Sequence, residues 1–188
     1  YDHVGTRNNI VYNGTDDNAS GVSALLAMIK YFKKNPPEHR IIFAFFDAEE
    51  KGLKGSEFFV NTLNPKKDNI VLNVNLDMVS RSEKQILFAC GGYHYPHVKA
   101  IIEKVNTPAG ITLGFGYDDP ILKRNDWTSQ SDHYNFHRKQ IPFVYFGVED
   151  HEDYHRPSDD FEKVNHDFYQ KSVETILQCI IALDKQLH

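Results

Sequence analysis

The strongest constraint on the fold is a short apolar run at residues 40–47, which reads RIIFAFFD. A run of this length without polar alternation predicts a strand buried on both faces, as in parallel sheets covered by helices. Further strands are predicted over residues 70–77, 85–90 and 141–148, and helices over 18–34, 56–63, 98–105 and from Asn165 onward. Residues 107–130 are rich in Pro, Gly and Asp and are predicted to form a long loop. This alternation predicts an α/β fold, a three-layer α/β/α domain with a mostly parallel central sheet.

Length, charge and cysteine content narrow the functional classes. The chain has 188 residues and a net charge of −5, which indicates one domain and no basic surface for nucleic acid. No segment approaches the roughly 18 consecutive apolar residues of a membrane span. The two cysteines, Cys90 and Cys179, exclude a disulfide scaffold and a cysteine-rich zinc site, and both are expected to be buried free thiols. Ten histidines and 26 acidic residues leave a metal site built from oxygen and nitrogen ligands open.

Acidic residues and a histidine fall where the predicted strands end. Glu49 and Glu50 follow the first strand, Asp77 ends the second, and His155 lies in the loop after the last. Asp17 precedes the first helix. Because ligands of open α/β sheets bind beyond the carboxyl ends of the strands, these side chains are expected at one edge of the sheet. Taken singly, each has a structural explanation, such as a helix cap for Asp17 and a favourable helix dipole for the glutamates.

Two further motifs suggest other chemistry but fail on their spacing. Residues 16–21 resemble the start of a calcium loop, yet Ala27 stands at the twelfth position, where a bidentate Glu is required. The consecutive Ser131, Asp132 and His133 cannot adopt the geometry of a catalytic triad, because adjacent side chains do not converge in that way. They are better interpreted as a segment that lines or supports a site.

Four segments occur together in a specific order: NGTDDNASG at 13–21, FDAEEKGLKGS at 46–56, NLDM at 75–78 and YHRPSD at 154–159. The combination resembles the co-catalytic di-zinc aminopeptidase family, which also includes glutamate carboxypeptidases and glutaminyl cyclases. The resemblance covers essentially the whole chain. It implies a single zinc-peptidase domain over residues 1–188, a zinc cofactor, a peptide substrate and a secreted or periplasmic location.

The resemblance also implies a ligand for each metal. Asp17 matches a carboxylate that bridges two zinc ions. Glu50 and His155 match the remaining ligands of one ion, and Asp77 matches a ligand of the other. Two metals held by a carboxylate bridge can activate water and polarise a carbonyl oxygen.

Two catalytic residues and a pocket segment follow from the same resemblance. Glu49 matches the general base, and Tyr154 matches a hydroxyl that in some members steadies the tetrahedral intermediate. Ser131, Asp132 and His133 match a segment that lines the substrate pocket.

The start of the chain departs from the family pattern. The remaining zinc ligand of the family is a His in a His-x-Asp pattern, and Tyr1 and Asp2 match the end of that pattern. Asp2 therefore matches the carboxylate that orients the missing His. His3 is not expected to replace it, because its place in the pattern is three residues further on. The N-terminal part of the domain is accordingly expected to be missing, so that two zincs in the intact protein become one or none in this chain.

The leading functional interpretation is a metal-dependent aminopeptidase that removes N-terminal residues from peptides. A carboxypeptidase or a glutaminyl cyclase on the same fold is an alternative, and a truncated, inactive metal-binding domain is another. Trp127, Tyr134 and Phe136 either indicate a preference for apolar side chains or belong to the core.

Overall fold

A computed structural model describes residues 3–63 and 68–187 and has a mixed sheet at its centre. The sheet contains β3 (Asn73–Leu76), β4 (Ile86–Cys90), β5 (Thr112–Phe115) and β6 (Phe143–Gly147), after an N-terminal hairpin of β1 (Gly5–Arg7) and β2 (Ile10–Tyr12). The strand order is β3-β6-β4-β5. The β3–β6 and β4–β5 pairings are parallel and the β4–β6 pairing is antiparallel, which confirms the predicted mostly parallel sheet.

Five helices accompany the described strands. They are α1 (Gly21–Phe32), α2 (Lys54–Thr62), α3 (Pro96–Ile102), α4 (His133–Arg138) and α5 (His166–Gln186). Four of them confirm predicted helices, with ends shifted by a few residues. Asn165 caps the last helix, because its side chain accepts a hydrogen bond from the Phe168 amide at 3.0 Å. No helix in these described parts combines the length and apolarity needed to cross a membrane.

The alternation of side chains along β6 shows that both faces of the sheet are covered. Val144 and Phe146 pack into a core with α1, α3 and α5. Phe143 and Tyr145 point to the other face and contact the ring of His133 at the start of α4. Since successive residues of a strand face opposite sides, this arrangement has a helical layer on each side of the sheet. The predicted three-layer architecture is confirmed.

The predicted strand over residues 40–47 is wrong, although its apolar character is clear. The backbone of residues 41–45 makes no hydrogen bond within residues 3–63 and 68–187. A strand needs a neighbouring strand to satisfy its backbone groups, and no strand among the described residues lies beside this segment. An apolar cavity of about 380 Å³ separates it from the unpaired edge of β3.

The same cavity lies against α1. The buried side chains of this helix are those of Ala24, Met28 and Phe32, at intervals of four residues. Met28 and Phe32 line the cavity together with Val22 and Leu25, which are only partly buried.

The long loop predicted for residues 107–130 is only partly correct, because it contains β5 and two short 3-10 helices. Gly114 lies within β5, at a point where a Cβ atom would come 2.8 Å from the Phe88 ring. A glycine in such a segment indicates a loop from sequence, whereas here it allows close strand packing. Both cysteines are buried free thiols, as expected.

Candidate metal centre

Asp17, Glu50 and His155 come together beyond the carboxyl ends of the strands. His155 Nε2 lies 3.2 Å from Asp17 Oδ2 and 3.0 Å from Glu50 Oε1. Asp77 directly follows β3, and His155 lies in the loop after β6, which is parallel to β3. The parallel pairing thus brings these two loops to the same edge of the sheet, where ligands of such sheets bind.

A second carboxylate, that of Asp159, binds the backbone of the loop that carries Asp17. Asp159 accepts hydrogen bonds from the amide of Asp16 at 3.0 and 3.1 Å and from the amide of Asp17 at 3.1 Å. Asp159 is almost completely buried, so these bonds form in a medium of low dielectric, where they are strong. Asp159 therefore positions Asp17, a role that has no local pattern in the sequence.

Asp16 anchors the same loop to the chain after β3. Its Oδ1 accepts hydrogen bonds from the Ser80 amide at 2.8 Å and from the Ser80 hydroxyl at 2.7 Å. Its Oδ2 lies 3.1 Å from His151 Nε2. The buried carboxylate of Asp16 therefore points away from the cluster, while the adjacent Asp17 points into it. This role was not apparent from sequence, because Asp16 and Asp17 are equivalent there.

A short 3-10 helix, Glu49–Lys51, presents the two glutamates. Left-handed residues flank it, Ala48 with φ 55° and Gly52 with φ 93°, so the chain turns sharply on both sides. Glu50 faces His155, whereas Glu49 lines a small pocket together with Asp77 and Tyr154. Consecutive side chains thus reach different parts of the cluster, which is the division expected from the resemblance.

Asp77 is buried and held in place by Ser131. Its Oδ2 accepts a hydrogen bond from the Ser131 hydroxyl at 2.7 Å, and that hydroxyl accepts one from Asn75 Nδ2 at 3.0 Å. Its Oδ1 is buried and has no hydrogen-bond partner in the described parts of the chain. Burial, with Asp17 and Glu49 nearby, raises the pKa of Asp77 well above its usual range.

The structure separates the three consecutive residues of the predicted pocket segment. Ser131 supports Asp77, and the charge of Asp132 acts on Glu49. His133 is completely buried and donates from Nε2 to the Trp127 carbonyl oxygen at 3.0 Å. Burial lowers the pKa of His133 to about 3, so its ring is neutral. His133 therefore lies in the core behind the cluster.

Tyr154 stacks on His155, with ring centroids 3.8 Å apart, and lines the pocket that contains Glu49. Burial and the charge of Asp17 raise the pKa of Tyr154, so its hydroxyl keeps its proton and can donate a hydrogen bond. His155 has φ 54°, a strained left-handed conformation for a residue with a Cβ atom.

The aromatic residues noted in the sequence have different positions. Trp127 lines the pocket beside Glu49 and stacks on Tyr117 at 4.1 Å between centroids. Phe136 is buried in the core, and Tyr134 lies beneath the guanidinium of Arg138.

Asp2 lies outside the described residues. His3, which was expected to stay out of the ligand set, instead lies within the cluster. Its Nδ1 is 3.1 Å from Glu50 Oε1 and 3.7 Å from Asp17 Oδ2.

The cluster fits a zinc ion on three grounds. The donor atoms are carboxylate oxygens and imidazole nitrogens, which zinc accepts. The contacts of His155 with Asp17 and Glu50, 3.2 and 3.0 Å, are close to the spacing of roughly 3.3 Å between ligands of a tetrahedral zinc with bonds of about 2.0 Å. Glu50 Oε1 and Asp77 Oδ1 are buried oxygens without a hydrogen-bond partner in residues 3–63 and 68–187. A cation would satisfy both.

An α/β sheet with carboxylates and imidazoles converging beyond its strand ends defines a protein of the metal-dependent α/β class. Comparison with known families identifies the family within this class. The profile of peptidase family M28 matches residues 1–180, and the chain belongs to this family. Aminopeptidase YwaD of Bacillus subtilis (strain 168) is 29% identical over 187 residues, which cover 92% of this chain and 38% of that protein.

Solved structures give the same picture of the fold. A zinc aminopeptidase from Bacillus subtilis superimposes with a TM-score of 0.72 at 27% identity, covering 90% of this chain and 42% of that one. The gamma-secretase component Nicastrin gives a TM-score of 0.73 at 20% identity, covering 91% of this chain and 37% of that one, a likeness that concerns the fold alone. The chain thus spans about two fifths of the length of these relatives. Function must accordingly be argued from the site.

Proposed function

We propose that this chain carries the catalytic centre of a zinc aminopeptidase that hydrolyses N-terminal residues from peptides. The observation that carries the proposal is the division between two consecutive glutamates: Glu50 faces the imidazole of His155, and Glu49 lines the adjoining pocket. Metal-dependent hydrolysis needs a residue that binds the metal and a nearby uncoordinated base, and Glu50 and Glu49 would supply these two groups. The names of the two Bacillus subtilis relatives, an aminopeptidase and a zinc aminopeptidase, support the same activity.

Four residues would hold the metal ions. Asp17, Glu50 and His155 would bind one zinc, and Asp77 would bind the second, which shares Asp17. Ser131 orients Asp77 by donating to its Oδ2. When bound, zinc supplies a Lewis acid that polarises the peptide carbonyl and makes water more acidic.

Glu49 would act as the general base and then as the acid. Its carboxylate takes a proton from the attacking water, whose oxygen forms the new bond to the carbonyl carbon. The same proton passes to the leaving nitrogen as the C–N bond breaks, so one water is consumed and an amine is released. Tyr154, which keeps its proton, would donate a hydrogen bond to the oxyanion that develops on the carbonyl oxygen.

The pocket suggests how a substrate would lie. The pocket beside Glu49 is small, about 20 Å³, and mainly polar and acidic, although Trp127 and Val148 also line it. Asp150 also lines the pocket and supplies a negative charge that suits a free α-amine. A secreted or periplasmic location remains a prediction from the family resemblance.

The role of the two glutamates is tested by paired substitutions in the zinc-reconstituted chain. Glu49→Gln should keep its zinc and lower kcat on an aminoacyl anilide by about 10²- to 10⁴-fold, the contribution of a general base. Glu50→Gln should lower the zinc-to-protein ratio itself. Glu83→Gln, at an exposed site, is the matched control and should change neither quantity.

The outcomes separate this proposal from its alternatives. Zinc loss in Glu49→Gln equal to that in Glu50→Gln would refute the division of roles. Cyclisation of a peptide with N-terminal Gln in place of anilide hydrolysis would identify a glutaminyl cyclase. Hydrolysis from the C-terminal end of a peptide would identify a carboxypeptidase. Bound zinc without turnover of any of these substrates would identify a metal-binding domain.

A further inference from the structure

We propose that the apolar cavity beside β3 is the place of one further strand, which the residues preceding Tyr1 in the intact protein contribute. The strand would run parallel to β3 and would connect residues 40–47 to the central sheet. It would complete the sheet whether or not the neighbouring cluster binds zinc, so it goes beyond the proposed function and does not depend on it.

The cavity lies in the layer of the sheet. Residues 39–46 and residues 69–76, which include β3, are two continuous stretches of chain that line it. Val22 and Leu25 of α1 line it from one face of the sheet, and Phe136 of α4 lines it from the other. A space between two lengths of backbone, with helices on both faces, is the space that a strand of a three-layer fold occupies.

The edge of β3 that faces the cavity has unpaired backbone groups. Among the described strands, β3 pairs with β6 alone. The amides of Asn73 and Asp77 donate to carbonyl oxygens on the β6 side at 2.8 and 3.1 Å. Because successive amides of a strand point to opposite edges, those of Val74 and Leu76 point to the cavity. A parallel strand would supply acceptors for both amides, whereas an apolar small molecule would supply none.

The opposite side of the cavity is equally in need of a neighbour. Residues 41–46 are all apolar, which is typical of a strand covered on both faces. None of them is buried, and Ile42 is 47% exposed, whereas all five residues of β6 are buried. The backbone of residues 41–45 makes no hydrogen bond to any described residue. A strand in the cavity would both cover these side chains and pair with this backbone.

The direction of the strand follows from its two neighbours and from the position of His3. Residues 40–47 lead to Glu50, and β3 leads to Asp77, so both stretches run toward the candidate metal centre. His3 is the first described residue and lies at the same end, with its Nδ1 3.1 Å from Glu50 Oε1 and its side chain only 7% exposed. A strand parallel to both neighbours would therefore end where the described chain begins.

The order of elements favours the same origin. A strand before Tyr1 would be followed by the β1–β2 hairpin, by α1 and then by residues 40–47. Adjacent parallel strands need a crossover of this kind, usually with a helix, and consecutive strands are commonly neighbours in space. A strand that followed α5 would be consecutive in sequence with neither of its neighbours in the sheet.

The test is amide hydrogen exchange, followed by NMR in EDTA, on the chain as it stands and on the chain extended by the roughly ten residues that precede Tyr1 in its gene. In the extended chain, the amides of Val74 and Leu76 should exchange at least about 100-fold more slowly, and alternate amides of residues 41–45 should gain similar protection. The amide of Asn75, which points to β6, should change little. An extension of the same length made of Gly and Ser is the matched control and should protect none of these amides. The amides of α5 show that each chain is folded.

Thermal unfolding of the same chains gives a second readout. The native extension should raise Tm by at least about 5 °C because it buries apolar surface, and the Gly-Ser extension should not. Unchanged exchange at Val74 and Leu76, or an extended chain that is no more stable, would overturn the proposal. Protection by an extension after His188 instead, or protection that grows with protein concentration as a dimer forms, would overturn it in favour of another occupant. Because no metal is present, none of these results bears on the proposed function.

Discussion

Glu49→Gln should make the metal-free protein more stable, even though it removes the proposed general base. Glu49 is half-buried, and the charges of Asp132, Asp17 and Glu50 act on it. Burial, followed by repulsion from these three carboxylates, raises the pKa of Glu49 from 4.5 to about 8. A glutamine has no charge to bury and therefore avoids both penalties.

The magnitude follows from proton linkage. Between pH 4.5 and 8 the folded chain keeps a proton on Glu49 that the unfolded chain has released, so the free energy of unfolding falls as the pH rises through this window. At about 1.4 kcal/mol for each pKa unit, the cost is roughly 3 kcal/mol at pH 7 and about 5 kcal/mol above pH 8. Glu49→Gln should recover most of this cost at pH 7 and almost none below pH 4.5.

The assay is urea unfolding in EDTA, followed by far-ultraviolet circular dichroism at pH 5, 7 and 8. The stability difference between Glu49→Gln and the parent chain should grow with pH. Glu83→Gln, at an exposed position, should show no such trend. A Glu49→Gln chain that is no more stable than its parent at pH 7 and 8 would refute the argument that Glu49 is held against like charges.

Three more predictions follow from other parts of the site. Asp159→Asn removes the charge of the carboxylate that accepts hydrogen bonds from the amides of Asp16 and Asp17. The zinc affinity, measured by dye competition, should therefore fall about 10- to 100-fold. An unchanged affinity would show that Asp159 does not position Asp17. The buried His133, with a pKa of about 3, should lower the free energy of unfolding by about 2 kcal/mol between pH 7 and 5, because only the unfolded chain gains the proton. His133→Phe should remove that part of the pH dependence in urea titrations, and an unchanged dependence would contradict it. Zinc at 100 times its Kd should add about 2.7 kcal/mol of stability in the same titrations, and this gain should be lost in His155→Ala.

The positions of Asp17, Glu50, Asp77 and His155, the proposed ligands, could be predicted because each lies close to an element that the sequence defines. Glu50 and Asp77 follow apolar runs, and the direction of the chain then places them at one edge of the sheet. The role proposed for each of them comes from the resemblance to a known family. The close approach of Asp17, Glu50 and His155 in the structure agrees with this placement.

The supporting residues could not be predicted, because their roles depend on contacts between distant parts of the chain. Asp16 and Asp17 are indistinguishable in sequence, and contacts of their loop with the distant Asp159, Ser80 and His151 fix which carboxylate faces the cluster. The burial of His3 depends on the conformation of Gly14 and on the turn at Glu50. Such long-range relationships have no local pattern.

The apolar run at residues 40–47 shows the limit of pattern reading for the fold. Its composition indicates burial, but a strand also needs a partner for its backbone groups. The described residues place no strand beside it, and the neighbouring edge of β3 lies across an apolar cavity. The expected burial is not observed either, because none of residues 40–47 is buried and the side chain of Ile42 is 47% exposed.

In the proposed centre, zinc binds between Asp17, Glu50 and His155 while Glu49 stays uncoordinated. Anomalous X-ray diffraction at the zinc absorption edge, from crystals of the zinc-loaded chain, locates the ion. We expect an anomalous peak within about 2.0–2.2 Å of Asp17 Oδ2, Glu50 Oε1 and His155 Nε2. A peak coordinated by Glu49 instead of Glu50, or no peak at this edge of the sheet, would contradict it.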